Sequence, residues 1–455
     1  MSKRLNENPV RRKASRRSRS VDDSDDDEKA PRIESPGQVW ASTIIEQIEI
    51  PGAGHKYAIH EQMPDGTWPT REDSSFPDPT GKGVYIPLKQ VPWPLPGSPL
   101  DYENETALHS EIVKFLRHYW ESRDEIVYDV LACFILMTWR FEEFKVVPYL
   151  DALGPKGTGK SKLLELLASV SYRGWFMTHP TPAAIFWIVD RYHPTLLADN
   201  YEFWAKENRR ELDGLFNAGY RRGATVPRRP REGESGADLD IYDVYCPKAI
   251  SGTREPSGAL ESRCIRIRTT RTRHATPMEI DEAWARELRS KLLQYRLRHL
   301  EAPTRAHDEI LNRYGRVGET FYALVTVAPD EETANKVSDY EQGVFQEQVE
   351  EEATSEEAEV VQAIVACKEG ADGGRLGVQA ITKRLNEGRD ENDQVRPERV
   401  GWILKRLGFK KTRLSKPKGG RAIIVDNDHL EHLMKTYDVS PPEPTLLGAS
   451  GEAVT

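Results

Sequence analysis

The segment GPKGTGKS, Gly154 to Ser161, sets glycines, a lysine and a hydroxyl at the spacing that wraps a polyphosphate. Glycine lets backbone N–H groups turn inward on the anion, and a helix beginning near Lys160 would aim its positive dipole end at the same point. On this reading Gly154, Gly157, Thr158 and Gly159 form the cradle, Lys160 reaches the β- and γ-phosphates of ATP, and Ser161 ligates Mg2+. The flanks argue against a chance match. VVPYLDAL before the loop has the length of a buried strand, and SKLLELLAS after it is helix-forming.

A phosphate loop needs a second acidic strand end for its metal. PTLLADNYE supplies one: Leu196 to Ala198 read as a buried strand, and Asp199 falls at its C-terminal end, where open α/β sheets bind ligands. The other reading of Asp199 is a carboxylate that merely ends a surface strand. Asn200 follows, and an amide orients water without accepting its proton. Glu202 is the candidate base if the chain turns sharply after Asp199. A third run, YDVYCPKAISGT, ends in Ser251 and Thr253, either a γ-phosphate sensor or a plain strand-to-loop transition. In ALESRCIRIR, Arg263 precedes another β-like run, where an arginine serves as a charge-stabilising finger or as a surface ion pair. The expected catalytic set is Lys160, Asp199, Glu202 and Arg263.

Several elements must position these groups. Residues 1–38 carry a basic and an acidic block with almost no aliphatic content, which predicts a disordered tail. Short β-like runs and the turn signal PDG over 39–100 predict a small β-rich module. An α/β core is expected over 101–275, opened by helices between Glu105 and Arg140, with the apolar Val130–Trp139 run buried rather than membrane-spanning. A helix over Glu279 to Leu300 suits a helical lid spanning 276–338, with Arg313 or Arg316 as a lid contact to the γ-phosphate or as plain lid surface. Residues 339–356 are acidic and predict a linker; 439–455 predict a second tail.

Residues 357–438 read as three helices and a hairpin, a winged-helix pattern. Its third helix and wing carry Arg396, Arg399, Lys405, Arg406, Lys410, Lys411, Lys416, Lys418 and Arg421. Such clustering on a helix-turn-helix variant favours contact with DNA phosphates, although winged helices also bind proteins.

Composition excludes little of this. The chain has 455 residues, 38% hydrophobic and 30% charged, and no apolar stretch long enough to cross a membrane, so a cytoplasmic protein of about three domains is expected. The net charge of −9 is concentrated in Asp22–Glu28 and Gln346–Glu359, which leaves basic faces elsewhere free to meet nucleic acid. Four scattered cysteines without CxxC spacing argue against structural zinc or a disulfide framework.

From about Glu105 to Arg268 the chain resembles the AAA+ ATPases of phage, plasmid and other mobile-element helicases. The resemblance rests on PYLDALGPKGTGKS, TPAAIFWIVDRYHPTLLAD, NAGYRRGA and PKAISGTREPSGALESRC. It implies an α/β AAA+ core with an α-helical lid, a ring, hexameric in the family's usual form, with sites between subunits, and Arg263 as the arginine finger. Such relatives usually carry Asp-Glu where this chain has Asp199-Asn200. The implied activity is an ATP-driven DNA translocase or helicase in mobile-element replication. Asn200 favours the alternative of an ATP-gated initiator, loader or regulator that hydrolyses slowly. A defence or scaffolding ATPase whose winged helix recruits protein is the third reading.

Overall fold

Short strands packed on a few apolar side chains build the first of two units. The computed structural model describes residues 30–440, apart from 179, 229–239, 257, 272–273, 302–314, 372, 391–392 and 415–419. The chain divides after Val91. In the first unit, β2 (Gly37–Val39), β3 (Thr43–Ile50), β4 (Gly54–Glu61) and β5 (Thr70–Asp73) form an antiparallel meander, while β1 (Arg32–Glu34), β6 (Phe76–Pro77) and β7 (Val84–Ile86) form a second sheet in the order β1-β7-β6. Ile45, Tyr57, Ile59 and Phe76 make its core, with Trp40 and Tyr85 against them. β1 lies inside the stretch expected as a tail, where it finds a partner in β7, Ile33 opposite Tyr85.

The second unit starts at Pro92. α1 (Glu105–Tyr119) is capped by the Asn104 side chain, and α2 (Ile126–Thr138) is buried along nearly its whole length. No helix among the described residues is long and apolar enough to cross a membrane. A five-stranded parallel sheet follows, made of β8 (Tyr149–Leu153), β9 (Trp175–Met177), β10 (Leu196–Ala198), β13 (Lys248–Gly252) and β14 (Cys264–Arg268). Helices α3 (Lys160–Val170), α4 (Pro182–Tyr192) and α5 (Tyr201–Ala218) link its strands, and a hairpin of β11 (Thr225–Arg228) and β12 (Asp240–Asp243) precedes β13. The spatial order is β14-β8-β13-β10-β9. Every residue of β10 and β13 is buried, as parallel strands covered on both faces require. With β13 between β8 and β10, the ends of these three strands converge at one edge.

Helix α6 (Glu282–Glu301) occupies the expected lid segment, and buried arginines fasten it to the core. Arg289 donates to Leu95 O at 3.0 Å and Ser169 O at 2.7 Å, and Arg296 donates to Trp139 O at 2.8 Å and pairs with Glu142. α7 (Arg316–Val327) and α8 (Glu331–Ala353) follow. The acidic stretch expected as a linker over 339–356 is mostly the body of α8. Two causes are visible: its acids match the arginines of β14, Arg266 to Glu351 and Arg268 to Glu347, each at 3.5 Å, and Val337 is fully buried.

The C-terminal module has a core of its own. α9 (Glu356–Cys367), capped by Ser355, meets α10 (Val378–Leu385) and α11 (Pro397–Arg406) over Val360, Ile364, Ile381, Val400, Ile403 and Leu404. β16 (Lys411–Arg413) and β17 (Arg421–Ile424) form the expected hairpin. Two elements were not expected: β15 (Arg375–Gly377) joins the sheet beside β17, and α12 (Asn427–Thr436) closes the module, capped by Asp426.

Candidate nucleotide site

β8 delivers the chain straight into the glycine-rich loop. Gly157 and Gly159 take φ of +76° and +83°, the left-handed region that strains any side chain, and α3 starts at Lys160. Gly154 is demanded by space instead: a Cβ there would stand 2.4 Å from Thr269 Oγ1 and 2.5 Å from Thr269 O. Thr269 follows β14. Its buried hydroxyl lies 2.7 Å from that of Thr158, while its backbone N–H donates to Leu153 O at 2.7 Å. The loop is thereby clamped to the neighbouring strand. On the other side, a Cβ on Gly159 would stand 3.4 Å from Trp120 Nε1, a buried N–H with no hydrogen-bond partner among the described residues.

Lys160 is buried, and its ammonium donates to Gly154 O and Pro155 O at 2.7 and 2.8 Å, which curls the cation over the loop. The Ser161 hydroxyl lies 3.0 Å from each oxygen of Asp199. Asp199 is buried at the end of β10, and Ser251, at the end of β13, donates to it at 2.6 Å. Asn200 completes the group. Its Nδ2 donates to Asp199 Oδ2 at 2.8 Å, and its backbone N–H donates to Ser251 Oγ at 2.9 Å. The inserted strand β13 is what brings Ser251 between the loop and Asp199.

The Ser161 and Asp199 oxygens suit Mg2+. Two adjacent ligands of an octahedral Mg2+ at about 2.1 Å stand about 3.0 Å apart, and a hydroxyl and a carboxylate are the hard donors that ion takes. Ser161 and Asp199 would hold it, and bound there it neutralises charge on phosphate oxygens.

The remaining expected residues fall elsewhere. Thr253 is exposed beyond the end of β13. Glu202 lies in the first turn of α5, but its side chain is outside what the structure describes. Arg263 precedes β14, whose Cys264 pairs with Tyr149 at the start of β8. That is the far end of the sheet, about 16 Å of strand from Gly154, so Arg263 does not join the loop of its own chain. Arg316, a candidate lid contact to the γ-phosphate, is likewise engaged away from the loop, donating to Tyr220 Oη at 2.8 Å. Thr269 and Trp120 were missed by sequence reasoning, since neither lies in a motif and both meet the loop only through tertiary packing.

In the C-terminal module Arg396, Lys405, Lys410, Lys411 and Arg421 are exposed, while Lys416 and Lys418 lie outside the described residues. Arg399 and Arg406 are already engaged. They pair with Glu356 and Glu357 at the start of α9 and flank the exposed Trp402, 4.9 and 5.1 Å from its ring.

No family model matches the chain, and no curated protein matches it. Among solved structures it is similar to the apo C-terminal region of NrS-1 in its A form, at 12% identity and TM-score 0.35 over 84% of this chain and 96% of that one. A further structure of that region matches at 14% identity and TM-score 0.37, over 84% of this chain and 97% of that one. A third is SCCmec type IV Cch, an active helicase, at 12% identity and TM-score 0.40 over 88% of this chain and 99% of that one.

Proposed function

We propose that the chain is a P-loop ATPase of the AAA+ class that binds MgATP and uses it to act on DNA as a translocase or helicase. The observation that carries this reading is the meeting of Ser161 with Asp199 at 3.0 Å, beside Lys160 and at the N-terminus of α3. A phosphate loop alone fits many proteins; a loop whose hydroxyl already faces a buried strand-end carboxylate has the two protein donors of a nucleotide-bound Mg2+. In this reading the glycine-loop N–H groups and Lys160 hold the β- and γ-phosphates, Ser251 and Asn200 orient the attacking water, and α6 with α7 forms the lid. Sites lie between subunits of a ring, and the exposed cations of the winged-helix module grip DNA. The test is ATP turnover with and without single- and double-stranded DNA, with particle size measured with and without ATP. DNA-stimulated turnover by ATP-dependent particles is expected; a chain that binds no ATP sinks the reading.

A second reading has its own observation. Asn200 offers its amide to Asp199 at 2.8 Å and cannot take a proton from water. A nucleotide-gated initiator or loader that turns over slowly fits that chemistry. Strand displacement on forked DNA separates the two.

A further inference from the structure

Trp402 faces water on the outer side of α11, with an arginine one turn to either side. Val400, Ile403 and Leu404 turn into the core of the C-terminal module, while Trp402, on the opposite side of the helix, is 49% exposed. The guanidinium of Arg399 lies 4.9 Å from the indole ring centre and that of Arg406 5.1 Å. At i−3 and i+4 the two arginines share one helix face with the ring.

Both guanidiniums take their counter-charge from the start of α9. Arg399 donates to Glu356 Oε2 through Nε at 3.0 Å and Nη2 at 2.8 Å, and Arg406 pairs with Glu357. The Arg399 pair is about half exposed on both sides, so water and other anions compete for it.

The surrounding chain decides what a competing anion would be. From Pro397 to Arg421 nine cations stand against Glu398 alone, a surface that attracts a polyanion and repels a basic partner. An open aromatic ring set among cations is the composition that holds unpaired bases: phosphates go to the cations, and a base lies on the ring or on a guanidinium plane. Duplex DNA suits the ring less well. Its base faces are covered by their neighbours, and the groove offers edges, which are read by paired hydrogen bonds. An indole has one donor and no acceptor, so it cannot make such a pair.

We propose that Arg399, Trp402 and Arg406 form a stacking site for the unpaired bases of single-stranded DNA, whose phosphates take the guanidiniums from Glu356 and Glu357. The proposal rests on the reading that this module binds DNA, and adds a hold on the bases of one strand to the phosphate contacts of the wing.

The test uses the full-length chain without ATP and three labelled ligands: oligothymidylate, an abasic strand with the same number of phosphates, and a mixed-sequence duplex. Trp402→Ala should weaken oligothymidylate binding by about five- to a hundredfold, with an unchanged salt slope, and Trp402→Tyr should recover most of the loss. Affinities of the abasic strand and the duplex should stay within twofold. Glu356→Gln should tighten oligothymidylate binding by up to about fivefold, since the strand then displaces one carboxylate fewer. A local readout is independent of any other DNA site on the chain. With all ten tryptophans labelled as 5-fluorotryptophan, the 19F signal missing from Trp402→Phe should move on adding oligothymidylate and stay on adding the abasic strand. A signal that oligothymidylate leaves in place overturns the proposal, as does Trp402→Ala within twofold of wild type for that ligand. Equal losses for oligothymidylate and duplex also overturn it, making Trp402 a groove residue. So does a change of particle size in Trp402→Ala with DNA affinity intact, which assigns the ring to a protein contact. No tightening in Glu356→Gln overturns the exchange of carboxylate for phosphate. Wild type that binds none of the three ligands overturns the DNA reading together with this one, whereas the other adverse outcomes leave that reading standing.

Discussion

Gly154 has the backbone carbonyl of Thr269 2.5 Å from where a Cβ would sit, and a backbone atom cannot swing aside as a side chain can. Gly154→Ala should therefore displace the loop and weaken mant-ATP binding by about tenfold or more, a loss of about 1.4 kcal/mol or more in loop contacts to the phosphates. Asn200 makes a different case. It sits at φ +53°, a conformation asparagine tolerates better than glutamate. Asn200→Glu should raise the single-turnover rate, by up to about a hundredfold if the missing base is what limits it, at a cost of about 1 kcal/mol in stability. An unchanged rate would remove slow hydrolysis by the amide as an explanation. Tyr220 supplies a pH signature. Burial pushes its phenol up, but the hydrogen bond from Arg316 and the charges of Arg316, Arg221 and Arg263 outweigh that and hold it below its usual 10.0. Between that lowered value and 10.0 the unfolded chain holds more protons than the folded one, so stability from this group grows as pH rises through the window and is absent near neutrality. The stability difference between wild type and Tyr220→Phe should be constant near neutrality, where only the hydrogen bond from Arg316 is lost, and should widen with pH on the alkaline side.

α8 shows how an element is fixed by its surroundings. Read along the chain, its glutamates suggest a solvated linker; in the fold they face Arg266 and Arg268 of β14, and Tyr340 donates to Arg266 O at 2.9 Å. Magnitudes decide what holds it. The pairs are largely exposed on the glutamate side and each is worth under about 1 kcal/mol, whereas truncating a fully buried valine costs about 2 kcal/mol. Glu347→Gln/Glu351→Gln should thus shift the urea midpoint less than Val337→Ala. The reverse order would mean that charge, not burial, docks the helix.

At the scale of the molecule, the glycine-rich loop and the exposed cations of the C-terminal module belong to elements packed on different hydrophobic cores, one on the parallel sheet and one among α9, α10 and α11. Neutralising exposed wing cations should therefore act on DNA alone. Lys410→Glu/Lys411→Glu should weaken DNA binding evenly across sequences and flatten the dependence of log K on log salt by about one unit per lost phosphate contact. DNA-free ATP turnover should not change. An unchanged salt slope would remove these two lysines from the interface.

What the sequence determined is local. Glycine spacing marked the turn from β8 into α3, the apolar triplet Leu196–Ala198 placed Asp199 at a strand end, and helical periodicity located α9, α10 and α11, because each signal lies within a dozen residues. The tertiary structure decided what depends on distant partners. Thr269 meets Thr158 across 111 residues, and Tyr220 draws together Arg263 and Arg316. The inserted strand β13 carries Ser251 to Asp199. No local pattern encodes such meetings, since they arise from strand order and packing rather than from the period of any one element.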